Sequence, residues 1–424
     1  MKKRVKLAVE NSVNHNSVPR TVFKDLSNAL LADESLSAGC SYLPSMRTFG
    51  KAIQKKRKSE LGICDKLPTK WEDMELPERF SVTSDGKPLL ILDETIPEDG
   101  SKVWGFASDL GLSILKKAKD IYGDGTFEIC KNTLFSQLWV VVARSEQNKL
   151  TTPCAFFLLP SKHHTVYTMI LKKLKELGVT SPEVFHLDFE ASAIKSVREV
   201  YSDCEIICCD VHRQRGIQKS QQKSGLLPYI NAAEEVQTFN RYLWALAYVP
   251  ISDILKVYEE FIIPKLPEMD PDVEDEDTSE AYNKAIDTFI ESYETTWLGK
   301  VSKRTKQRGK PKFKFELWNK YACLLAGEMD MTTNKSEAWN SASKLSLPMK
   351  PNIFQVLDAI KAEEGLARAK LHQAITGSPP KDANPGRTKA RLRRMEALKG
   401  IVEQYEDLSL DTYMNSLIVH FNEY

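Results

Sequence analysis

The stretch from Asp120 to Ser224 switches repeatedly between two hydrophobic periods, and that switching limits the fold more than any other feature. "DIYGDGTFEI", "SQLWVVVARS" and "TPCAFFLLPS" are rich in β-branched and aromatic residues and are separated by short polar segments, which predicts an antiparallel meander. "HTVYTMILKKLKELG" then takes a helical period, with Val166, Ile170, Leu174 and Leu177 on one face and Gly178 as the stop. "EVFHLDF" reads as a strand and "EASAIKSVREVYS" as a helix. "EIICCD" is a strand without alternation, as expected where both faces are buried, and a helix follows it. Three strands, helix, strand, helix, strand, helix is an antiparallel edge continued by parallel crossovers. The expected class is therefore α/β with a mixed sheet flanked by helices.

The rest of the 424 residues divides by composition. Residues 1–105 read as a helical and loop extension, with one apolar run, "PLLILD", that suggests at most a small hairpin. Residues 106–220 carry the patterned core. Residues 221–330 form a helical insertion interrupted by an acidic loop, "EMDPDVEDED", too charged to pack, and by a basic loop. Residues 331–424 complete the core and add C-terminal helices.

Net charge is +1, so a polyanion would have to be held by local patches. The first is the basic segment around Lys55, Lys56 and Arg57. The second is "KVSKRTKQRGKPKFKF", with Lys303, Arg304, Lys306 and Arg308, followed by Phe313, Phe315 and Trp318. Cations beside aromatics suit nucleic acid, because they neutralise phosphate and displace counterions. The competing expectation is a solvated loop whose aromatics dock into the core. A third basic stretch runs from Arg387 to Lys399. There is no run of eighteen apolar residues and no apolar leader in "MKKRVKLAVENSVNHN", so neither a membrane span nor a secretory signal is expected. Eight scattered cysteines in so long a chain fit a reduced, intracellular protein.

Acidic residues at strand ends suggest chemistry. A two-metal phosphoryl-transfer site needs three carboxylates converging on cations roughly 3.5–4 Å apart. Asp124 sits on the first strand between Gly123 and Gly125, where nothing bulky crowds a metal. Asp188 ends the fourth strand, which lies beside the first in this kind of sheet. Either aspartate could instead be a turn or cap residue. Asp120, Glu190 and Asp210 compete for the same roles. Cys209 and His212 form a C-x-x-H pair. One pair gives two ligands where structural zinc takes four, so a packing and hydrogen-bonding pair is expected, not zinc, with His212 either contacting a phosphate or orienting an acid.

"DGTF", "HLDFEASA", "CCDVH" and "TTNKSEAWN", in this order, resemble the catalytic domain of Mutator-like element (MULE) transposases. The resemblance spans approximately residues 40–400 and is supported by "LPSMRTFGKAIQKKR", "FSQLWVV", "ALAYVP", "YETTWLG" and "PNIFQVLDAIKAEE". It implies an RNase H-like fold with an Asp-Asp-Glu (DDE) triad and a helical insertion before the Glu. By motif match the triad is Asp124, Asp188 and Glu337, and the C-x-x-H is Cys209 and His212. Glu337 also has capping-box spacing from Asn334, so a helix-cap role stays open, with Glu316 and Glu328 as spare acids.

The resemblance further implies two Mg²⁺ or Mn²⁺ ions, DNA as partner (transposon terminal inverted repeats or other duplex DNA), homo-oligomerisation and a nuclear location. Family members often carry a zinc-binding recognition module before the catalytic part. The first 40 residues contain only one cysteine, Cys40, and no Cys/His pairing that could build such a module, so a truncated copy, a partner-dependent transposase or a domesticated relative is expected. Two other readings stay open: an inactive transposase-derived DNA- or chromatin-binding protein, and a protein-interaction factor.

Overall fold

A computed structural model describes residues 67–126, 130, 133–144, 151–267, 276–327, 351–376 and 385–421, with isolated positions between 6 and 56. Seven strands form one mixed sheet flanked by helices: β1 (Leu90–Thr95), β2 (Lys102–Phe106), β3 (Asp120–Thr126), β4 (Gln137–Arg144), β5 (Thr151–Leu159), β6 (Val184–Leu187) and β7 (Glu205–Cys208). Their order is β1-β2-β5-β4-β3-β6-β7. The α/β class and the mixed sheet are as the sequence leads one to expect. The sheet is two strands wider, because the run "PLLILD" begins a hairpin that joins it. β1 pairs antiparallel with β2, and β2 pairs antiparallel with β5.

The chain groups into two compact units, each discontinuous in sequence. The first comprises Met1–Glu183, Lys195–Cys204 and Asn334–Pro380; the second comprises Val184–Ile194, Glu205–Thr333 and Lys381–Tyr424.

In the first unit, β3, β4 and β5 form the expected meander, with Asp124 opposite Val140 and Val140 opposite Phe156. Both faces are covered, which is why these strands read as nearly continuous apolar runs. On one face Trp104, Phe106, Tyr122, Val140, Val142, Phe156 and Leu158 pack with Phe354, Leu357 and Ile360 of a long helix, α8 (Ile353–Ile375). On the other, Trp139 meets Tyr167 of helix α2 (His164–Glu176) edge-on at 5.5 Å. Val166, Ile170 and Leu174 are buried along α2, and Gly178 follows its end at φ +96°. α8 starts with a capping box in which Asn352 and Gln355 exchange side-chain and backbone bonds.

A short helix, α1 (Asp109–Leu115), lies so close to β5 that a Cβ on Gly111 would sit 2.3 Å from the Cys154 carbonyl oxygen. Backbone cannot yield as a flexible side chain can. Gly111→Ala should therefore cost about 1–3 kcal/mol through overpacking, read as a lower midpoint in urea unfolding.

In the second unit β6 and β7 run parallel, Val184 opposite Glu205 through Leu187 opposite Cys208. Helix α3 (Ala191–Val200) joins these strands, and α4 (Asp210–Ser224) leaves β7. The helical insertion follows as α5 (Leu227–Ala232), α6 (Glu234–Ala245), shorter helical turns, and α7 (Glu276–Tyr293). Further on are α9 (Pro385–Val402) and α10 (Leu410–Ile418). Among the described residues no helix is long and apolar enough to cross a membrane.

Candidate functional site at the start of the fourth helix

β7 ends at Cys208, and Cys209 is the N-cap residue of α4. Its backbone N–H donates to the Leu187 carbonyl at 3.0 Å, which ties the ends of β6 and β7 together. That register sets Asp188, the residue after β6, against the first turn of α4. His212 Nδ1 lies 2.9 Å from Asp188 Oδ1, and each side chain is about a quarter exposed. Burial alone would lower the His212 pKa. Hydrogen bonding and charge at Asp188 and Cys209 outweigh it and push it up to about 11, so the ring is an imidazolium at neutral pH. The C-x-x-H pair thus places a fixed cation beside Asp188. The cysteine stays inside, 2% exposed.

The residue after Asp188 is packed among aromatic rings. Phe189 meets Trp297 and Phe313 edge-on, each at 4.9 Å, and Trp297 contacts Trp318 at 6.4 Å. Phe313 and Trp318 are buried, so these aromatics of the basic stretch dock into the core, the second of the two expectations for them.

Asp210 has a different role from Asp188, although both follow closely on a strand: Asp188 comes directly after β6, and Asp210 opens α4 two residues after β7. It is 4% exposed, and both its oxygens are engaged. Oδ1 accepts from Arg213 Nε at 2.9 Å; Oδ2 accepts from Gln214 Nε2 at 2.7 Å and the Tyr248 hydroxyl at 3.3 Å. Arg213 is fully buried and also donates to the carbonyls of Leu243 and Trp244, with its guanidinium 5.3 Å from the Trp318 ring centre. Lys320, likewise fully buried, donates from Nζ to the Cys208 carbonyl at 2.7 Å, and burial lowers its pKa. These groups hold the β7–α4 junction, and with it His212. Sequence reasoning missed Arg213 and Lys320. The three-residue step from Asp210 to Arg213 on one helix was the available signal.

The other expected site residues fall as follows. Asp124 lies on β3 in the first unit, 3% exposed. Asp120 opens the same strand, and Glu190 precedes α3, both half-buried. Glu316 is exposed. Glu337, Glu328 and Arg57 lie outside the described residues. Lys55 is exposed and Lys56 half-buried, in a helical segment whose Phe49 and Ile53 are buried. Lys303, Arg304 and Lys306 are exposed on a tight loop closed by the bridge between Val301 and Arg308. Lys306 takes a left-handed φ of +56° there. Arg308 is different, being 14% exposed. Its guanidinium donates to Glu259 and to the Gly299 carbonyl, both at 2.6 Å, and lies 3.5 Å from Glu294. It anchors the loop whose tip carries Lys303, Arg304 and Lys306.

Among the described residues no three His, Cys, Asp or Glu side chains are clustered to hold a metal ion. The carboxylate oxygens of Asp188 are hard donors of the kind that Mg²⁺ or Mn²⁺ takes, whereas Asp124 is 3% exposed and already interacts with its surroundings. His212 is paired with one oxygen of Asp188, Oδ1. A scan against protein-family models finds no match to the chain, and no curated protein matches its sequence.

Proposed function

We propose that this chain is the catalytic part of a DDE transposase of the Mutator-like type, built on an RNase H-like sheet, that cleaves and joins strands of duplex DNA in the nucleus. The observation that carries the reading is the strand order β5-β4-β3-β6-β7 with Asp124 on β3 and Asp188 directly after β6. An antiparallel meander flanked by a parallel pair is the arrangement the motif order implies. Asp124, Asp188 and Glu337 would hold Mg²⁺ or Mn²⁺. The bound ions would supply charge neutralisation at the attacking and leaving oxygens of the phosphodiester.

The protein's own share is positioning. The aromatic cluster around Phe189 fixes the backbone at Asp188, and His212 fixes the carboxylate. Lys303, Arg304 and Lys306 present charge suited to phosphate at the tip of an anchored loop. One observation favours a second reading, a transposase-derived DNA-binding protein without catalysis. The His212 ring nitrogen, 2.9 Å from Asp188 Oδ1, occupies part of the carboxylate that a metal would need. The test is nicking of a duplex DNA end with Mg²⁺, Mn²⁺ or chelator, by the wild type and by Asp188→Ala. Metal-dependent nicking lost in the variant supports the enzyme; equal activity in both rejects the assigned site.

A further inference from the structure

The second unit contains a cavity of about 380 Å³ between α4, α5 and α6. Its floor is an amide pair: Gln221, 1% exposed, donates from Nε2 to Asn240 Oδ1 at 2.7 Å, and Asn240 is 4% exposed. Leu227 and Ile230 of α5 supply an apolar wall, and Arg215 and Lys219 of α4 stand at the rim. Two buried amides carry more donors and acceptors than their single mutual bond uses. A donor beside an acceptor, against an apolar wall, is what the edge and face of a nucleobase require. A rim of two cations one helical turn apart supplies the complement of its phosphate.

The same helix connects this cavity to Asp188. His212, Arg215, Lys219 and Gln222 follow the i, i+3, i+7, i+10 spacing of one helical face. From His212 to Lys219 that face advances about 10 Å. We propose that the cavity binds a nucleoside phosphate unit, with the base seated on Gln221 and Asn240 and the phosphate at Arg215 and Lys219. The unit could be a free nucleotide or an unpaired nucleotide within a strand running along this face of α4. The inference goes beyond the cleavage reading and does not need it, because it is tested without metal.

The test measures anisotropy of a labelled twelve-nucleotide oligodeoxyadenylate with the full chain in EDTA. An abasic strand of equal length and free dAMP as competitor separate the possibilities. The intact strand should bind at least tenfold more tightly than the abasic one. Lys219→Glu, at an exposed position, should weaken the intact strand at least tenfold. Gln221→Met should weaken the intact strand while leaving the abasic strand unchanged, with thermal unfolding and circular dichroism reporting that the fold persists. Displacement by dAMP identifies a free-nucleotide site; resistance to it identifies a strand site. Equal binding of intact and abasic strands, or Lys219→Glu binding as the wild type does, overturns the proposal.

Discussion

Asp188→Ala should abolish metal-dependent DNA cleavage while leaving the protein folded and able to bind DNA. The side chain is a quarter exposed and contacts His212 at the end of the β6–β7 pair, so its loss leaves no deep cavity, although His212 loses its carboxylate partner. A ligand carboxylate of a two-metal centre contributes several kcal/mol of transition-state stabilisation, so the rate should fall roughly a thousandfold or more. DNA affinity should hold or rise, since a negative charge near phosphate is removed. The neighbouring acid gives the contrasting control. Asp210→Asn keeps the shape but removes the charge that faces buried Arg213, so it should lower stability. Nicking rate and unfolding midpoint, measured on both variants, should therefore move in opposite patterns. A large stability loss in Asp188→Ala with normal residual cleavage would defeat the assignment.

Arg213→Ala should destabilise the second unit by about 3–5 kcal/mol, the usual cost of removing one partner of a buried ion pair. The guanidinium is completely enclosed, and four groups depend on it: Asp210, the carbonyls of Leu243 and Trp244, and the Trp318 ring. Lysine should not rescue it, because one ammonium cannot reproduce a planar fork that spans a carboxylate and two carbonyls. Combining Arg213→Met with Asp210→Asn should recover part of the loss by neutralising the stranded acid. Chemical denaturation monitored by tryptophan fluorescence suits the measurement, since Trp244, Trp297 and Trp318 all lie in this unit. Equal midpoints for wild type and Arg213→Ala would refute the structural role.

The core was legible from sequence where pattern and burial agree. The runs that became β3, β4, β5, β6 and β7 are β-branched, aromatic and bounded by polar segments, and α2 shows its face in three- and four-residue steps. Of β1 and β2 only a small hairpin at "PLLILD" was legible, not its place in the sheet. β1 ends in the acidic "DET", β2 has five residues, and its place in the sheet depends on pairing with β5, some fifty residues later. Asp188, Cys209 and His212 could be named as candidates because strand ends and C-x-x-H spacing are local signals. That Asp188 meets His212 while Asp210 turns inward was not readable. Both acids follow apolar runs, and only their partners separate them, His212 for Asp188 and Arg213, Gln214 and Tyr248 for Asp210. Likewise, a lysine at 320 carries no mark of burial until the carbonyl of Cys208 is seen to receive it.

That last bond links residues 112 positions apart. On a ribosome adding about 5–20 residues per second, the carbonyl at 208 emerges roughly 6–22 s before its ammonium partner. The Tyr413 hydroxyl, which donates to the Tyr248 carbonyl across 165 positions, arrives later still. Nascent chains carrying β7 and α4 therefore expose unpaired polar groups and apolar surface for seconds. Chaperone engagement and protease sensitivity during synthesis should concentrate in that interval.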